Sequence, residues 1–228
     1  IATKVGNQWR ADGSGWDWNP SKDYILKSAE QSLKRLKTDY IDLYQLHGGT
    51  IDDPIDETIE AFELLKQQGK IRWYGISSIR PNVIREYVRR SRIVSVMMQY
   101  SLLDHRPEEA VLDLLHQHEI SVISRGAIAQ GLLAGKSADS YLQYTESEVA
   151  RAAKAVAHLA DEVGVSKLDV ALRYVWTHPA VATAALGIRT AAQLDEALQV
   201  LKRAQPLTKV QHDVLRQSVR DFNYEAHR

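Results

Sequence analysis

The strongest constraint on the fold of this chain is a repeated alternation of short apolar segments with longer amphipathic ones. Each short segment is rich in β-branched or aromatic residues, which favours a strand, and each long segment has apolar residues at helical spacing. The alternation occurs six times in 228 residues, and strict alternation indicates a parallel sheet with helical connections. The predicted strands cover residues 1–5, 40–49, 71–77, 93–100, 121–124 and 180–188. The predicted helices cover residues 21–37, 55–68, 81–90, 104–119, 146–163, 167–177, 190–202 and 208–223.

Two α/β folds are compatible with this alternation, an open doubly wound sheet and a (β/α)8 TIM barrel. An open sheet that binds a dinucleotide typically carries a glycine fingerprint after its first strand, and none of the six strand ends has one. The barrel is therefore favoured, with about six of its eight βα units present plus a C-terminal helix. Because Ile1 already lies in a strand pattern without an initiator methionine, we expect one barrel domain, residues 1–228, truncated at its N-terminus. We expect roughly one-third more sequence in front.

Composition restricts the possible partners. With 29 basic and 29 acidic residues, the chain has no net charge to attract nucleic acid or an anionic membrane, and neither partner is expected. One local basic patch is interpreted as a solvated helix face; it consists of Arg80, Arg85, Arg89, Arg90 and Arg92. No apolar run is long enough to span a bilayer. The absence of cysteine excludes disulfides and thiol catalysis and fits a reducing, cytoplasmic location. The sequence does not indicate an oligomeric state.

Polar side chains occur at the ends of the predicted strands, and these are Lys4, His47, Ser77, Ser78, Gln99 and Arg125. In a barrel these ends converge on the face that carries the active site. Taken alone, His47 is either catalytic or a histidine capped by a nearby carbonyl, and Gln99 is either a ligand or a satisfied core amide. Lys4 alone is typical of a rim lysine, but its position one strand before His47 favours a shared pocket.

Residues 6–20 are predicted to form a long loop after the first strand. The loop contains Trp9, Trp16 and Trp18. These tryptophans either pack on an apolar substrate or anchor the loop to the barrel rim.

Six short segments together resemble the aldo-keto reductases, in particular their bacterial members. They read Ala-Thr-Lys at 2–4, Asp-Leu-Tyr-Gln-Leu-His at 42–47, Gly-Ile-Ser-Ser at 75–78, Gln-Tyr-Ser at 99–101, Gly-Leu-Leu-Ala-Gly-Lys at 131–136 and Gly-Ile-Arg-Thr-Ala-Ala-Gln-Leu at 187–194. The resemblance runs along the whole chain in the right order. It implies a (β/α)8 barrel that binds NADPH in extended form and reduces an aldehyde or ketone.

The resemblance also implies catalytic roles. In that family a tyrosine donates a proton, a lysine lowers its pKa, an aspartate pairs with the lysine and a histidine orients the carbonyl. Lys4 matches the lysine and His47 the histidine. The aspartate and tyrosine lie on early strands that this chain lacks, and no tyrosine of this chain is expected to replace them. The chemistry is consistent with this set, because hydride addition places negative charge on the carbonyl oxygen.

The coenzyme residues are likewise implied by the resemblance. Ser77, Ser78 and Gln99 would bind the nicotinamide carboxamide, and Arg189 would bind the 2′-phosphate of NADPH. The remaining residues would contact the rest of the coenzyme. Gly126, Ile128, Gln130 and Gly131 would lie along the pyrophosphate. Gly187 would lie near a phosphate bound by the free amides of a helix N-terminus, and Gln193 and Glu196 would contact the adenosine. No metal ligand set is expected.

Three positions depart from the family pattern. Arg125 stands where an aromatic residue commonly stacks on the nicotinamide, and its guanidinium would either lie on the ring or reach a phosphate. Ala197 replaces an asparagine that reaches the adenine, and Ser78 occupies a position that is often asparagine.

Two other functions compete with the reductase. One is a non-catalytic NADPH-binding subunit or sensor of the same fold, which loss of the upstream aspartate and tyrosine would favour. The other is an unrelated metal-dependent lyase, which requires several carboxylate or histidine ligands at strand ends, where the sequence offers only His47.

Overall fold

A computed structural model describes residues 1–203, 205–221 and 223–228. The chain divides into two compact units. The first comprises Ile1–Met97, Gln117–Ser121 and Glu225–Arg228, and the second comprises Met98–His116 and Val122–Tyr224.

The first unit is built on parallel strands that are joined by helices. Its strands are β1 (Ala2–Val5), β2 (Asn7–Trp9), β3 (Trp16–Trp18), β4 (Ile41–His47), β5 (Ile71–Ser77) and the greater part of β6 (Ser95–Gln99). Its helices are α1 (Lys22–Leu36), α2 (Ile55–Gln67) and α3 (Pro81–Arg90). Strands β1, β4, β5 and β6 pair in that order, all in parallel.

Local sequence signals begin and end the helices of this unit. Ser21 caps α1 through its side-chain oxygen, which accepts from the backbone N–H of Tyr24 at 3.4 Å, and Lys37 ends the helix with a left-handed φ of 53°. Pro81 occupies the first turn of α3, where its missing N–H costs nothing. Between α2 and β5, Phe62 stacks on Tyr74 with ring centroids 5.3 Å apart.

The second unit contains a 3-10 helix, Arg106–Glu109, and a further 3-10 segment, Ala129–Ala134, which is interrupted by non-helical dihedral angles at Gln130 and Gly131. Its longer elements are most of α4 (Val111–Gln117), most of β7 (Ser121–Arg125), α5 (Glu146–Val163), α6 (Lys167–Trp176), β8 (Val181–Ala185), α7 (Ala191–Arg203) and α8 (Lys209–Gln217). Strands β7 and β8 are parallel, with an irregularity in register between Val122 and Ile123.

The predicted alternation of strands and helices is confirmed, and several bounds differ. The predicted loop 6–20 is wrong, because it holds the antiparallel hairpin of β2 and β3. The predicted helix 104–119 is interrupted at Ala110, whose φ of −160° breaks the helix between the 3-10 turn and α4. The predicted strand 180–188 and helix 208–223 are shorter than expected, and position 222 of that helix lies outside the described residues.

The arginine patch is partly paired on the solvent side of α3. Arg90 bonds to Asp56 and to Glu86, and Arg89 bonds to Glu86 at 2.7 Å. In the part of the chain that the structure describes, no helix is long and apolar enough to cross a membrane. Among the same residues, no group of three or more histidine or acidic side chains is placed to hold a metal ion.

Candidate active site and coenzyme site

Lys4 and His47 line one cavity in the first unit. Strands β1 and β4 are parallel neighbours with Lys4 opposite Gln45, so His47 lies two residues further along the adjacent strand. The cavity has a volume of about 770 Å³, and both side chains line it. Lys4 is half-buried and His47 is exposed. The register of two strands therefore brings together the two predicted catalytic residues.

Gln45 and His47 share a face of β4, but their surroundings differ. Gln45 is fully buried, and its side-chain nitrogen donates to the carbonyl oxygen of Ile76 and the hydroxyl of Ser95, both at 3.4 Å. Gln45 is thus a core amide that ties neighbouring strands, whereas His47 emerges from the strand at the cavity.

Trp18 fastens the hairpin to the loop after β4. Its indole nitrogen donates to both carboxylate oxygens of Asp53, at 3.1 and 3.0 Å. The same carboxylate accepts from the backbone N–H and hydroxyl of Thr50, at 2.8 and 3.0 Å. The indole ring packs against Gly6 and Gly48, which closely follow Lys4 and His47 in the sequence. Trp18 therefore holds the chain where both strands end.

Replacing Gly6 by alanine is expected to destabilise the protein. An alanine Cβ would lie 2.3 Å from Cζ3 of Trp18, and the φ of Gly6 is +128°, which favours glycine. Overpacking of this kind costs about 1–3 kcal/mol. The control is Gly13→Ala, because Gly13 also has a positive φ, +74°, but a Cβ there meets nothing within 4 Å. Thermal unfolding of both variants checks the prediction, and equal losses would show that the Trp18 contact is unimportant.

The other two hairpin tryptophans differ from Trp18. Trp9 and Trp16 are cross-strand partners, they are 73% and 48% exposed, and both line the cavity of Lys4 and His47. The sequence left two roles open for these tryptophans, packing on a substrate or anchoring the loop, and Trp18 has the anchoring role. Trp9 and Trp16 present apolar surface to the cavity.

Ser77 and Ser78 are buried at the end of β5. The carbonyl oxygen of Ser77 accepts from the N–H of Gly48 at 2.9 Å, and the N–H of Ser78 donates to Met97 at 3.0 Å. The hydroxyl of Ser78 accepts from the N–H of Arg80 at 3.1 Å. The backbone of both serines is thus held by neighbouring strands and loops.

In the second unit, Gln99 and Arg125 are hydrogen-bonded to each other. Nη1 of Arg125 donates to Oε1 of Gln99 at 2.9 Å, and Nε2 of Gln99 donates to the hydroxyl of Tyr141 at 3.0 Å. Gln99 is only half-buried, so it is not a core amide. The contact places Arg125 beside the residue predicted to bind the nicotinamide carboxamide.

The segment after β7, which includes the kink in the 3-10 segment Ala129–Ala134, turns tightly. Four of its residues have positive φ: Gly126 (70°), Ala129 (45°), Gln130 (58°) and Gly131 (94°). A left-handed φ is unusual for alanine and glutamine and often accompanies a functional loop. Two turn hydrogen bonds, from Ala129 to Gly126 and from Gly131 to Ile128, close the loop at 2.8 and 2.9 Å.

A second cavity, with a volume of about 250 Å³, lies between this segment and the residues that follow β8. Five predicted coenzyme residues line it, namely Ile128, Gly131, Gly187, Gln193 and Glu196. Ala197 lines it as well, and so does Lys136. Lys136 was not predicted as a site residue, although it ends one of the glycine-rich segments and brings a positive charge to the cavity. Gly126, Gln130 and Arg189 do not line this cavity.

The N-terminus of α7 is not as open as the sequence predicts. Oε1 of Gln193 accepts from the N–H of Arg189 at 2.8 Å and from that of Thr190 at 3.3 Å. In return, the hydroxyl of Thr190 accepts from the N–H of Gln193 at 3.2 Å, which is a capping box. The prediction concerned the amides of the first helical turn, and of these the amide of Gln193 is occupied by the Thr190 hydroxyl. The side chain of Gln193 is a capping group for the amides of Arg189 and Thr190. The side chain of Arg189 is exposed.

Within the part of the chain that the structure describes, no buried tyrosine with a perturbed pKa suits the role of proton donor. Burial is the main cause that raises the pKa of each, which disfavours the phenolate. These residues are Tyr44, Tyr74, Tyr87, Tyr100, Tyr141, Tyr144, Tyr174 and Tyr224. A catalytic phenol that must act near neutrality needs the opposite shift.

Comparison with known proteins addresses the chain as a whole. The model of the aldo/keto reductase family matches residues 1–220. An uncharacterized oxidoreductase of Bacillus subtilis, YqkF, is 50% identical, over all of this chain and 76% of its own length. The NADH-specific methylglyoxal reductase of Escherichia coli is 32% identical, over 62% of this chain and 47% of its own length.

A solved structure extends the similarity to the fold. The holo form of aldo-keto reductase AKR11C1 from Bacillus halodurans superimposes with a TM-score of 0.91 at 48% identity, covering 100% of this chain and 75% of that one. The chain thus spans about three quarters of the length of both YqkF and AKR11C1. These similarities confirm the predicted (β/α)8 fold class, and the chain belongs to the aldo/keto reductase family.

Proposed function

We propose that this protein reduces an aldehyde or ketone to an alcohol by hydride transfer from NADPH. The observation that carries the proposal is the convergence of Lys4 and His47 on one cavity at the ends of adjacent strands. Membership of a family of oxidoreductases supports the reaction type. The choice of NADPH and the substrate are part of the proposal.

At the carbonyl, the two catalytic residues have different tasks. As the carbonyl carbon is reduced, its oxygen gains negative charge and requires hydrogen-bond donors. His47 donates a hydrogen bond to that oxygen and orients the carbonyl. The ammonium group of Lys4 favours the ionised form of a neighbouring phenol and so makes it a better acid near neutrality. We assign no tyrosine of this chain to the role of that phenol.

The nicotinamide end of the coenzyme is assigned to residues at the ends of β5, β6 and β7. The group supplies the hydride when bound. By the resemblance to the family, Ser77, Ser78 and Gln99 are assigned to its carboxamide. Within the second unit, Arg125 supplies a guanidinium beside Gln99 in place of an aromatic ring. The hydrogen bond between Arg125 and Gln99 supports placing Arg125 at this end rather than at a phosphate.

The phosphates and the adenosine are assigned to the second cavity and its surroundings. Gly126, Ile128, Gln130 and Gly131 follow the pyrophosphate, and the charge of Lys136 suits the same group. Gly187 and the adjoining segment lead to the adenosine, with Gln193 and Glu196 as contacts. Arg189, exposed before α7, binds the 2′-phosphate, a task suited to a planar guanidinium. Because one relative, a methylglyoxal reductase, is named as NADH-specific, the choice of NADPH for this protein depends on the assignment of Arg189.

Coenzyme oxidation tests the proposal. The full-length protein is offered NADPH and a small reactive aldehyde, and the nicotinamide absorbance is followed over time. We expect aldehyde-dependent loss of NADPH, faster than with NADH at the same concentration. A protein that binds neither coenzyme would contradict the proposal.

A further inference from the structure

A chain of hydrogen bonds fixes the side-chain amide of Gln99. Arg125 donates to its oxygen at 2.9 Å, and its nitrogen donates to the Tyr141 hydroxyl at 3.0 Å. A guanidinium can only donate, so the amide oxygen must face Arg125. The amide nitrogen must then face Tyr141. The two ends of the amide are thereby distinguished by their partners.

Among the described residues, the side-chain amide of Gln99 has only these two partners, which leaves half of its hydrogen-bonding capacity unused. A side-chain amide has two donor hydrogens and two acceptor lone pairs. Arg125 occupies one lone pair and Tyr141 accepts one hydrogen. One donor and one acceptor remain, which is the complement of a primary carboxamide.

Tyr141 is itself firmly held. It is 9% exposed, and it begins a tight turn in which Tyr141 and Tyr144 exchange two backbone hydrogen bonds, at 3.1 and 2.9 Å. Thr145 then caps α5 through a capping box. The Tyr141 hydroxyl is therefore a fixed point against which Gln99 can be oriented.

The hydroxyl is also in the protonation state that this role requires. Burial and the nearby Asp104 carboxylate raise the pKa of Tyr141. The phenol therefore stays neutral near pH 7 and accepts from Gln99 without adding a negative charge close to Arg125.

We propose that Tyr141 is a positioning residue for the coenzyme. The Tyr141 hydroxyl holds the side-chain amide of Gln99 in the orientation that binds a primary carboxamide. The proposal rests on the proposed function, since the carboxamide is that of the nicotinamide. Tyr141 acts only through Gln99 and is not a catalytic residue.

The test compares two ligands on the Tyr141→Phe variant of the full-length protein, by isothermal titration calorimetry. NADPH carries the carboxamide, whereas 2′,5′-ADP carries the adenosine and the 2′-phosphate but no nicotinamide. Loss of one neutral hydrogen bond is expected to weaken NADPH about 3- to 10-fold and to leave 2′,5′-ADP within about twofold. Equal weakening of both ligands, or unchanged affinity for NADPH, would overturn the proposal.

Two further variants separate positioning from general structure. Tyr144→Phe removes a hydroxyl from the same turn that bonds to Arg220 instead of Gln99, and it should change neither affinity. Gln99→Met removes the amide, and adding Tyr141→Phe to it should cause no further loss of NADPH affinity. A full additional loss in the double variant would mean that Tyr141 acts independently of Gln99. If the unaltered protein binds 2′,5′-ADP but not NADPH, the proposed function itself fails.

Discussion

Replacing His47 by alanine is expected to lower aldehyde turnover about 10²- to 10⁴-fold, the usual contribution of a positioned acid–base or polarising group. Lys4→Ala should have an effect of similar size, because the proton donor would lose the cation that makes it acidic. Neither side chain is assigned to the coenzyme, so NADPH affinity should change only a few-fold. Steady-state kinetics together with coenzyme titration check both parts of the prediction.

Lys27→Ala is the matched control for these two variants. Lys27 is a cation on α1 that lines the same cavity as Lys4 and His47, and it has no assigned role in the reaction. Its replacement should leave turnover within about twofold of the unaltered protein. If turnover survives in both His47→Ala and Lys4→Ala, the catalytic roles assigned to these residues are wrong.

Arg189→Ala is expected to discriminate between the two coenzymes. A charge-assisted contact to the 2′-phosphate is worth about 1.5–3 kcal/mol, so NADPH affinity should fall roughly 10- to 100-fold. NADH has no such phosphate, and its affinity should hardly change. The measurement is the dissociation constant of each coenzyme for the variant and for the unaltered protein. Equal losses for the two coenzymes would mean that Arg189 does not read the 2′-phosphate.

Lys136→Ala and Lys202→Ala are the controls for the coenzyme preference expected of Arg189→Ala. Lys136 lines the second cavity, and we assign it to the pyrophosphate that both coenzymes share. Lys136→Ala should therefore weaken NADPH and NADH by similar factors. Lys202 lies in the last turn of α7, at the opposite end of the helix from Arg189. Lys202→Ala should affect neither coenzyme.

Elements with strong terminal signals were predictable to the residue. The bounds of α3 and α5 agree with those predicted from the sequence. Pro81 fits the start of α3, and Thr145 with Glu148 forms a capping box at the start of α5. These signals are local, because each capping contact joins residues within one turn. The bounds of β5 also agree with the prediction.

The hairpin of β2 and β3 was not predictable in the same way. Each strand has three residues, which is too short for an alternating pattern to be recognised. Its stability comes partly from contacts between distant residues, such as the indole of Trp18 with Asp53. The role of Trp18 as an anchor therefore emerged only from the structure.

The positions of site residues at strand ends could be predicted from the sequence, but their side-chain hydrogen bonds could not. The sequence places Lys4 and His47 at the ends of successive strands, and the register between β1 and β4 brings them to one cavity. The capping role of Gln193 and the bond between Gln99 and Tyr141 depend on rotamers. Tyr141 lies 42 residues from Gln99 in the chain, and no local pattern connects them.

The most direct test of the central claim follows the hydride itself. The full-length protein is incubated with an aldehyde and with NADPH that carries deuterium at the transferable position of its nicotinamide, and the alcohol is analysed by mass spectrometry. We predict that the alcohol gains one deuterium on the former carbonyl carbon. An alcohol without deuterium would contradict hydride transfer from NADPH. Tight NADPH binding with no alcohol formed would contradict the reductase and favour a coenzyme-binding sensor.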